Sequence, residues 1–374
     1  MMLASAVEIR LFHKKQGRSG KARLGPRIRS EGFREAGENM APSPRLRSFQ
    51  SLGPHGFHEI AYTEWGDPRS HRLVFCVHGF TRNCRDFDKL AANLSDRCHV
   101  VCMDVAGRGR SQWLTHKADY SFSLYLSDAA ALLARVTAPM EQRRIRRIFG
   151  GSADGRNRHV DWIGTSMGGL IGMMLAAKRN SPIRRLVLND VGPLIPWPAL
   201  VNMKKIHGSV HSSFANLAEV EAHLREICAP FGPLSDADWR HVAMHGAIRR
   251  SDGSFVLAFD PAIVTHMRPG GIAGVEFGSD FLSGIDLWPT YDAIASPTLI
   301  LRGEESELLL KKTALEMMQR GPKAQLVELP GIGHAPWLMS EDQIGIIRQF
   351  LLDKEKPIHA RGKTDRSSLQ SAVH

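Results

Sequence analysis

The chain has 374 residues, 43% of them hydrophobic, so it is long enough to bury the core of one large domain. Its formal net charge is +11 at pH 7, but the excess positive charge lies in three segments, residues 1–47, 139–158 and 354–374, with no interleaving of basic and aromatic residues. This distribution argues against nucleic-acid binding, and no uncharged apolar window reaches the roughly 18 residues of a membrane span.

The two ends of the chain show no hydrophobic period. Residues 1–47 are rich in Gly, Ser, Arg and Lys, and we expect this basic segment and the tail 355–374 to be disordered. The first apolar stretch is too short, and too soon interrupted by charge, for a signal peptide. Strand-like alternation begins after Met40, which raises the hypothesis that translation starts there and that residues 1–39 are absent from the native protein.

The five cysteines indicate a reducing compartment. Their number is odd, they show no paired C-x-x-C spacing, and Cys76 and Cys102 lie within apolar runs. We therefore expect free thiols in the core and a cytoplasmic protein.

Strand-like and helix-like segments alternate along the middle of the chain. The patterns predict strands at residues 71–78, 99–105, 159–165, 184–192, 297–303 and 324–333. They predict helices at residues 87–94, 121–136, 167–179, 308–320 and 341–354. Continuous apolar strands alternating with helices predict an α/β fold with a mostly parallel sheet covered on both faces.

One interval, residues 193–291, breaks this alternation. It contains helical patterns at 215–229 and 236–248 between Gly and Pro clusters, and it is too long for a simple connection. The sequence therefore predicts a mainly helical insertion, or cap, between two parts of an α/β core at 48–192 and 292–354.

The string Gly164-Thr-Ser166-Met-Gly168 lies where a predicted strand becomes a predicted helix. A sharp turn there strains the central residue and raises its side chain above the sheet, while side chains two positions away would collide with neighbouring backbone. The helix that follows directs free N–H groups at an anion formed beside Ser166. The string therefore indicates a nucleophilic serine, although an ordinary turn with an N-capping serine is the alternative.

At these residues the chain resembles the α/β-hydrolase superfamily, in its cap-containing, esterase-like serine hydrolase branch. Three further motifs follow that family's order: His78-Gly79-Phe80, the loop Asp104-Val-Ala-Gly-Arg-Gly-Arg-Ser111, and the histidine loop Gly331-Ile-Gly-His334. The likeness extends from about Phe49 to Leu352. It implies a structural role for His78 and for the 104–111 loop, whose Arg108 and Arg110 lack the lysine context of a phosphate-binding loop.

A serine nucleophile needs a base, and His334 is the best candidate among the 17 histidines. It follows a predicted strand in a Gly-flanked turn and comes after the serine in chain order. The orienting carboxylate is ambiguous. Glu307 follows the strand 297–303, where the family commonly places an Asp, and is favoured; Asp190, at the end of the preceding strand, is the alternative. Glu304 and Glu305 also lie in that loop.

The resemblance implies an acyl-enzyme mechanism, with the backbone N–H groups of Phe80 and Met167 as the oxyanion hole. The expected substrate is a small-molecule carboxylic ester, thioester or lactone. A C–C bond hydrolase with the same triad, or a non-catalytic small-molecule-binding protein of this fold, is the alternative. No cofactor and no metal are implied, because no cluster with ligand spacing occurs. The acyl group and the oligomeric state are left open.

Overall fold

A computed structural model describes residues 43–137, 159–199, 201–202, 213–265 and 285–353. Three segments singled out from the sequence lie wholly or mostly outside the described residues: 1–47, 139–158 and 355–374. Met40, the hypothetical start of translation, is among the residues that are not described.

The strands of the described residues form one large sheet and two small ribbons. They are β1 (Arg45–Gly53), β2 (Gly56–Trp65), β3 (Arg72–Val77), β4 (His99–Met103), β5 (His159–Thr165), β6 (Ile183–Asn189), β7 (Leu194–Ile195), β8 (Ala247–Arg249), β9 (Phe255–Leu257), β10 (Ile285–Asp286), β11 (Thr298–Gly303) and β12 (Gln325–Leu329).

Eight of these strands build the sheet in the order β1-β2-β4-β3-β5-β6-β11-β12. The hairpin of β1 and β2 joins antiparallel at one edge, and the other six strands run parallel. The carboxyl ends of β3, β5, β6, β11 and β12 therefore meet at one edge of the sheet, where loops carry the polar residues singled out from the sequence.

Helices cover both faces of the sheet. In the described residues they are α1 (Asp88–Leu94), α2 (Phe122–Thr137), α3 (Met167–Ala176), α4 (Leu217–Ile227), α5 (Asp236–His245), α6 (Ala262–Thr265), α7 (Trp288–Asp292), α8 (Lys311–Met317) and α9 (Glu341–Leu352). Residues of α2, α3 and α7 share one buried apolar cluster, and those of α1 and α9 share another with the opposite side of the strands. The α/β fold with a mostly parallel sheet is thus confirmed.

The predicted elements agree with the structure within a few residues at either end. Each of the six predicted strands and five predicted helices has its counterpart, because long apolar runs and helical spacing are strong local signals. All five cysteines are buried and free, as expected. No helix among the described residues has the length and apolar character needed to cross a membrane.

Residues 193–291, called here the inserted segment, contribute no strand to the large sheet in their described part. They contain the amphipathic helices α4 and α5, the β8–β9 hairpin and the short pairing of β7 with β10. Their apolar residues form a third buried cluster that includes Trp337 and Met339, close in sequence to His334. The boundaries drawn from the sequence for core and cap stay a prediction.

Candidate active site

Ser166 lies at the turn between β5 and α3. Its backbone adopts φ 49° and ψ −113°, a conformation that L residues rarely take, and α3 begins at the next residue, Met167. The prediction of a strained strand-to-helix turn at this serine is confirmed.

The two glycines around Ser166 are needed because backbone approaches them closely. A Cβ added to Gly164 would lie 2.3 Å from the carbonyl oxygen of Gly168, and one added to Gly168 would lie 2.0 Å from that of Val77. No side chain fits at those distances, so the predicted reason for both glycines is confirmed.

His334 joins the serine to a carboxylate. Its Nε2 lies 3.0 Å from Ser166 Oγ, and its Nδ1 lies 2.7 Å from Asp190 Oδ2. A carboxylate at Nδ1 favours the tautomer that carries hydrogen there, which leaves Nε2 to accept the hydroxyl proton of Ser166. The imidazole side chain is 24% exposed, whereas Asp190 is fully buried.

Four donors surround the carboxylate of Asp190. Oδ1 accepts a hydrogen bond from the N–H of Gly303 at 2.9 Å, and Oδ2 accepts bonds from Ser306 Oγ at 2.6 Å and from the N–H of Ala335 at 3.3 Å, besides His334. Asp190 itself has φ 53°, so the chain turns sharply where β6 ends. These hydrogen bonds fix the orientation of the Asp190 carboxylate beside His334.

Glu307 does not contact His334. Its side chain is exposed on the wall of a cavity, and among the described residues it forms no hydrogen bond or ion pair with the imidazole. The preceding residue, Ser306, is buried and donates to Asp190, whereas Glu307 is exposed. The order of preference drawn from the sequence is therefore reversed: the alternative, Asp190, lies against the histidine. Glu304 is likewise exposed.

The two backbone segments expected to form an oxyanion hole both border Ser166. A Cβ on Gly79 would lie 3.8 Å from Ser166 Cβ, which puts the Gly79-Phe80 turn beside the serine. Met167 is the first residue of α3, where a helix has no acceptor of its own for the N–H group. That the N–H groups of Phe80 and Met167 bind an oxyanion stays a prediction.

His78 orients the first of these segments. Its Nε2 accepts a hydrogen bond from the N–H of Val105 at 3.0 Å, so its Nδ1 carries hydrogen and donates to the carbonyl oxygen of Gly79 at 2.7 Å. Burial lowers the pKa of His78 to about 3, so the ring is neutral near pH 7. Because the carbonyl and N–H of one planar peptide point in opposite directions, the bond to Gly79 also fixes the N–H of Phe80.

Ser166 and His334 open into a cavity of about 390 Å³. A cavity of this size accommodates a small organic molecule. The inserted segment supplies part of its wall. The lining comprises backbone and side chains of His78, Gly79, Phe80, Thr81, Arg82, Asp86, Phe87, Thr165, Ser166, Ala199, Asn202, Ile227, Pro230, Phe231, Glu305, Glu307, Leu308, Gly333, His334, Ala335, Pro336 and Trp337.

The cavity wall carries more negative than positive charge. Arg82 and Asp86 form a two-pronged ion pair at 2.6 and 2.8 Å, so they largely neutralise each other. The carboxylates of Glu305 and Glu307 form no ion pair with any described residue and are exposed. The negative charges of Glu305 and Glu307 therefore disfavour binding of a free carboxylate beside them.

One group of metal-ligating types occurs in the described residues, at Asp88, His241 and His245. The guanidinium of Arg85 already lies among them, with Nε 2.8 Å from Asp88 Oδ2 and Nη1 3.4 Å from His245 Nδ1. Burial lowers the pKa of His245 to about 4, with Arg85 and His241 adding to the effect. The charged guanidinium of Arg85 thus lies where a metal ion would otherwise bind. Through the same contacts, α5 of the inserted segment packs against the start of α1.

Sequence reasoning missed Ser306 and Arg82. The only sequence signal for Ser306 was its position directly before Glu307, and nothing local shows that its hydroxyl turns toward a strand end more than a hundred residues earlier. For Arg82 the signal was its spacing from Asp86, four residues along, which favours an ion pair.

Comparison with known proteins identifies the family to which the chain is similar. The profile of the Alpha/beta hydrolase family matches residues 73–344. A 3-hydroxybutyrate-oligomer hydrolase from Cupriavidus necator is 39% identical over 83% of this chain and 99% of its own length. A 2-(acetamidomethylene)succinate hydrolase from Mesorhizobium japonicum is 27% identical over 70% of this chain and 81% of its own. The crystal structure of an alpha/beta hydrolase from Novosphingobium aromaticivorans superposes with a TM-score of 0.65 at 31% identity, covering 82% of this chain and 98% of that one.

Proposed function

The chain belongs to the alpha/beta hydrolase family and is a hydrolase of ester bonds, and from this premise we propose that it is a serine hydrolase working through an acyl-enzyme on Ser166. The observation that carries the proposal is the continuous line of hydrogen bonds from Asp190 through His334 to Ser166 at the cavity. In this proposal Asp190 is the acid of the triad, and Glu307 is not part of it.

The acylation step begins with proton transfer. The hydroxyl proton of Ser166 moves to Nε2 of His334 as Oγ attacks the ester carbonyl carbon, and the carbonyl electron pair becomes an oxyanion. The N–H groups of Phe80 and Met167 stabilise that charge; removing one such donor typically costs about 2.7–4 kcal/mol in the barrier. The oxyanion then collapses, the bond to the alkoxy oxygen breaks, and His334 gives its proton to the leaving alcohol.

Deacylation repeats the sequence with water. His334 takes one proton from the water molecule, whose oxygen attacks the acyl carbon of the Ser166 ester. The second oxyanion expels Ser166 Oγ, which recovers its proton from His334, and the carboxylic acid leaves ionised at neutral pH. Asp190 stabilises the imidazolium that forms in both steps.

The substrate class we propose is a short oligomer of a hydroxy acid joined by ester bonds, after the relative from Cupriavidus necator, which aligns over nearly its whole length. Hydrolysis of one ester bond in a linear oligomer forms a new carboxylate on one product and a new hydroxyl on the other, so each product carries both groups. The wall of mixed apolar and polar residues around Ser166 suits an acyl chain that carries a hydroxyl group.

We also propose that the inserted segment is a cap over this cavity. Phe231 packs its ring edge-on against the imidazole of His334, with centroids 6.3 Å apart, and also lies against Trp337. The N–H of Gly333 donates to the carbonyl oxygen of Pro230 at 2.7 Å. Such contacts limit the acyl chain that fits and keep bulk water from the acyl-enzyme.

The test compares purified wild type with Ser166→Ala on 3-hydroxybutyrate dimer and trimer and on nitrophenyl esters of rising chain length. We expect release of 3-hydroxybutyrate by wild type and a loss of kcat of at least about 10⁴-fold in the variant. Ser251→Ala, at an exposed turn of the inserted segment, is the matched control and should retain full activity.

The outcomes separate the parts of the proposal. Retention of wild-type activity by Ser166→Ala would contradict the serine mechanism. Turnover of nitrophenyl esters with none of the dimer or trimer would contradict the hydroxy-acid substrate class alone.

A further inference from the structure

Arg108 is an arginine with no solvent exposure and no carboxylate partner in the described part of the chain. Burying an unpaired guanidinium is unfavourable unless other groups take over its solvation. Here two carbonyl oxygens accept its hydrogen bonds, those of Phe80 at 2.9 Å and Ala106 at 2.8 Å. The rings of Phe80 and Tyr125 face it with centroids 5.4 and 4.7 Å from the guanidinium carbon.

The contacts of Arg108 join both sides of the expected oxyanion hole. Its Nε donates to the carbonyl of Phe80, while its Nη2 lies 3.7 Å from the sulfur of Met167. Phe80 lies in the loop after β3, Met167 is the first residue of α3 after β5, and one planar group contacts both. The guanidinium, a rigid planar group, therefore links these two segments and sets the distance between them.

Backbone hydrogen bonds join the loop that carries Arg108 to the inserted segment. The N–H of Gly109 donates to the carbonyl of Ala258 at 2.7 Å, and the N–H of Asp260 donates to the carbonyl of Gly107 at 2.8 Å. These bonds lie on either side of Arg108 in the sequence, so its backbone is fixed relative to the proposed cap.

We infer that Arg108 is a positioning residue of the oxyanion hole. It holds the backbone at Phe80 and at Met167 at the separation that a tetrahedral oxyanion requires. The inference rests on the proposed acyl-enzyme function. Because Arg108 is fully buried, it acts through the two loops and does not touch substrate. Its removal should therefore weaken binding of the transition state and leave binding of the ester itself unchanged.

The experiment uses Arg108→Lys and Arg108→Met, with Arg110→Met as the matched control. Arg110 lies in the same loop but its side chain is exposed, so its loss removes the same charge without the contacts. For each protein, kcat and KM are measured on one ester. The affinity is measured for a trifluoromethyl ketone, which forms an oxyanion with a serine, and for the matching methyl ketone.

We expect Arg108→Met to lower kcat by roughly 10- to 100-fold, with KM within about twofold. The trifluoromethyl ketone should lose affinity by a similar factor and the methyl ketone should not. Arg108→Lys, which keeps the charge, should lie between that variant and wild type, and Arg110→Met should match wild type.

The inference is overturned if folded Arg108→Lys keeps wild-type kcat and wild-type affinity for the trifluoromethyl ketone, or if both ketones lose affinity equally. If neither Arg108 variant folds, Met167→Leu decides, since it removes the sulfur contact at nearly constant volume. A fall in kcat at constant KM supports the inference, and an unchanged kcat overturns it. Failure of the proposed function is recognised separately, by wild type and Ser166→Ala having equal activity.

Discussion

The loops after β6 and β11 carry the two main candidates for the orienting carboxylate, Asp190 and Glu307, beyond the ends of neighbouring parallel strands. Asp190, in the first, is fully buried and accepts hydrogen bonds from Gly303, Ser306, Ala335 and His334. In the second loop, Glu307 is exposed on the cavity wall, and among the described residues its carboxylate forms no hydrogen bond or ion pair with these groups. Of these two carboxylates, only that of Asp190 is placed to orient His334.

The difference shows that the loop after β11 contributes to the surroundings of His334 without placing a carboxylate against the imidazole. From the β11 side come a backbone N–H, of Gly303, and a hydroxyl, of Ser306, and both donate to Asp190. A buried polar group needs hydrogen-bond partners within the protein, whereas an exposed one is solvated by water. The hydrogen-bond donors around Asp190, more than the strand that it follows, are therefore the reason to propose it as the acid.

Asp190→Asn should have the largest effect. The amide keeps the shape of the side chain but favours the wrong tautomer of His334, and such a change lowers kcat by about 10⁴-fold in enzymes that depend on this pairing. KM for a neutral ester should change little. Steady-state kinetics beside circular dichroism checks this, and a folded Asp190→Asn protein with wild-type kcat would remove Asp190 from the triad.

Gly303→Ala should have the next largest effect. A Cβ there would lie 2.0 Å from the carbonyl oxygen of Gly333, so the loop carrying His334 must move. A misplacement of about 1 Å typically lowers kcat by roughly 10²-fold, and overpacking typically destabilises by about 1–3 kcal/mol.

The control for that change is Gly345→Ala in α9, where an added Cβ meets nothing within 4 Å. Thermal unfolding and kcat are measured for both variants. We expect the control to gain about 0.5–1 kcal/mol in stability at unchanged kcat. Unchanged kcat in Gly303→Ala would show that the histidine loop tolerates the shift.

The sequence predicted those parts of the site whose residue pattern lies within one short stretch of the chain. The turn at Ser166 follows from a β-rich run, two glycines and a helix-forming run within about a dozen residues, and His334 follows from a Gly-flanked turn after a strand. The sheet and its helices were likewise predictable, because their apolar periods are local.

The proposed acid was not predictable in this way, because its surroundings are assembled from distant segments. Asp190 and Glu307 both follow apolar strands, and nothing near either residue reveals which is buried. The partners of Asp190 lie 113 to 145 residues away along the chain. Only the pairing of β6 with β11 and the path of the histidine loop bring them together.

Ser306→Ala should have a moderate effect. It removes one donor from Asp190, and hydrogen bonds to charged groups contribute about 1.5–3 kcal/mol, so we expect kcat to fall roughly 10-fold. Ser306→Thr, which keeps the hydroxyl, should restore most of the rate. In an Asp190→Asn background the Ser306→Ala change should have little further effect on kcat. Equal effects in both backgrounds would mean that the serine does not act through Asp190.

Glu307→Gln should have the smallest effect. With a neutral ester, kcat and KM should stay within about twofold of wild type, because the side chain is exposed and exposed charges contribute only about 0.2–1 kcal/mol. With an oligomer that ends in a free carboxylate, KM should fall by up to about fivefold at low salt, since one of the unpaired negative charges on the wall is gone. That fall should disappear at high salt, and Glu305→Gln, an equally exposed neighbour, should behave in the same way. A large loss of kcat in Glu307→Gln on the neutral ester would contradict the proposal, because it would indicate that Glu307, and not Asp190, orients His334.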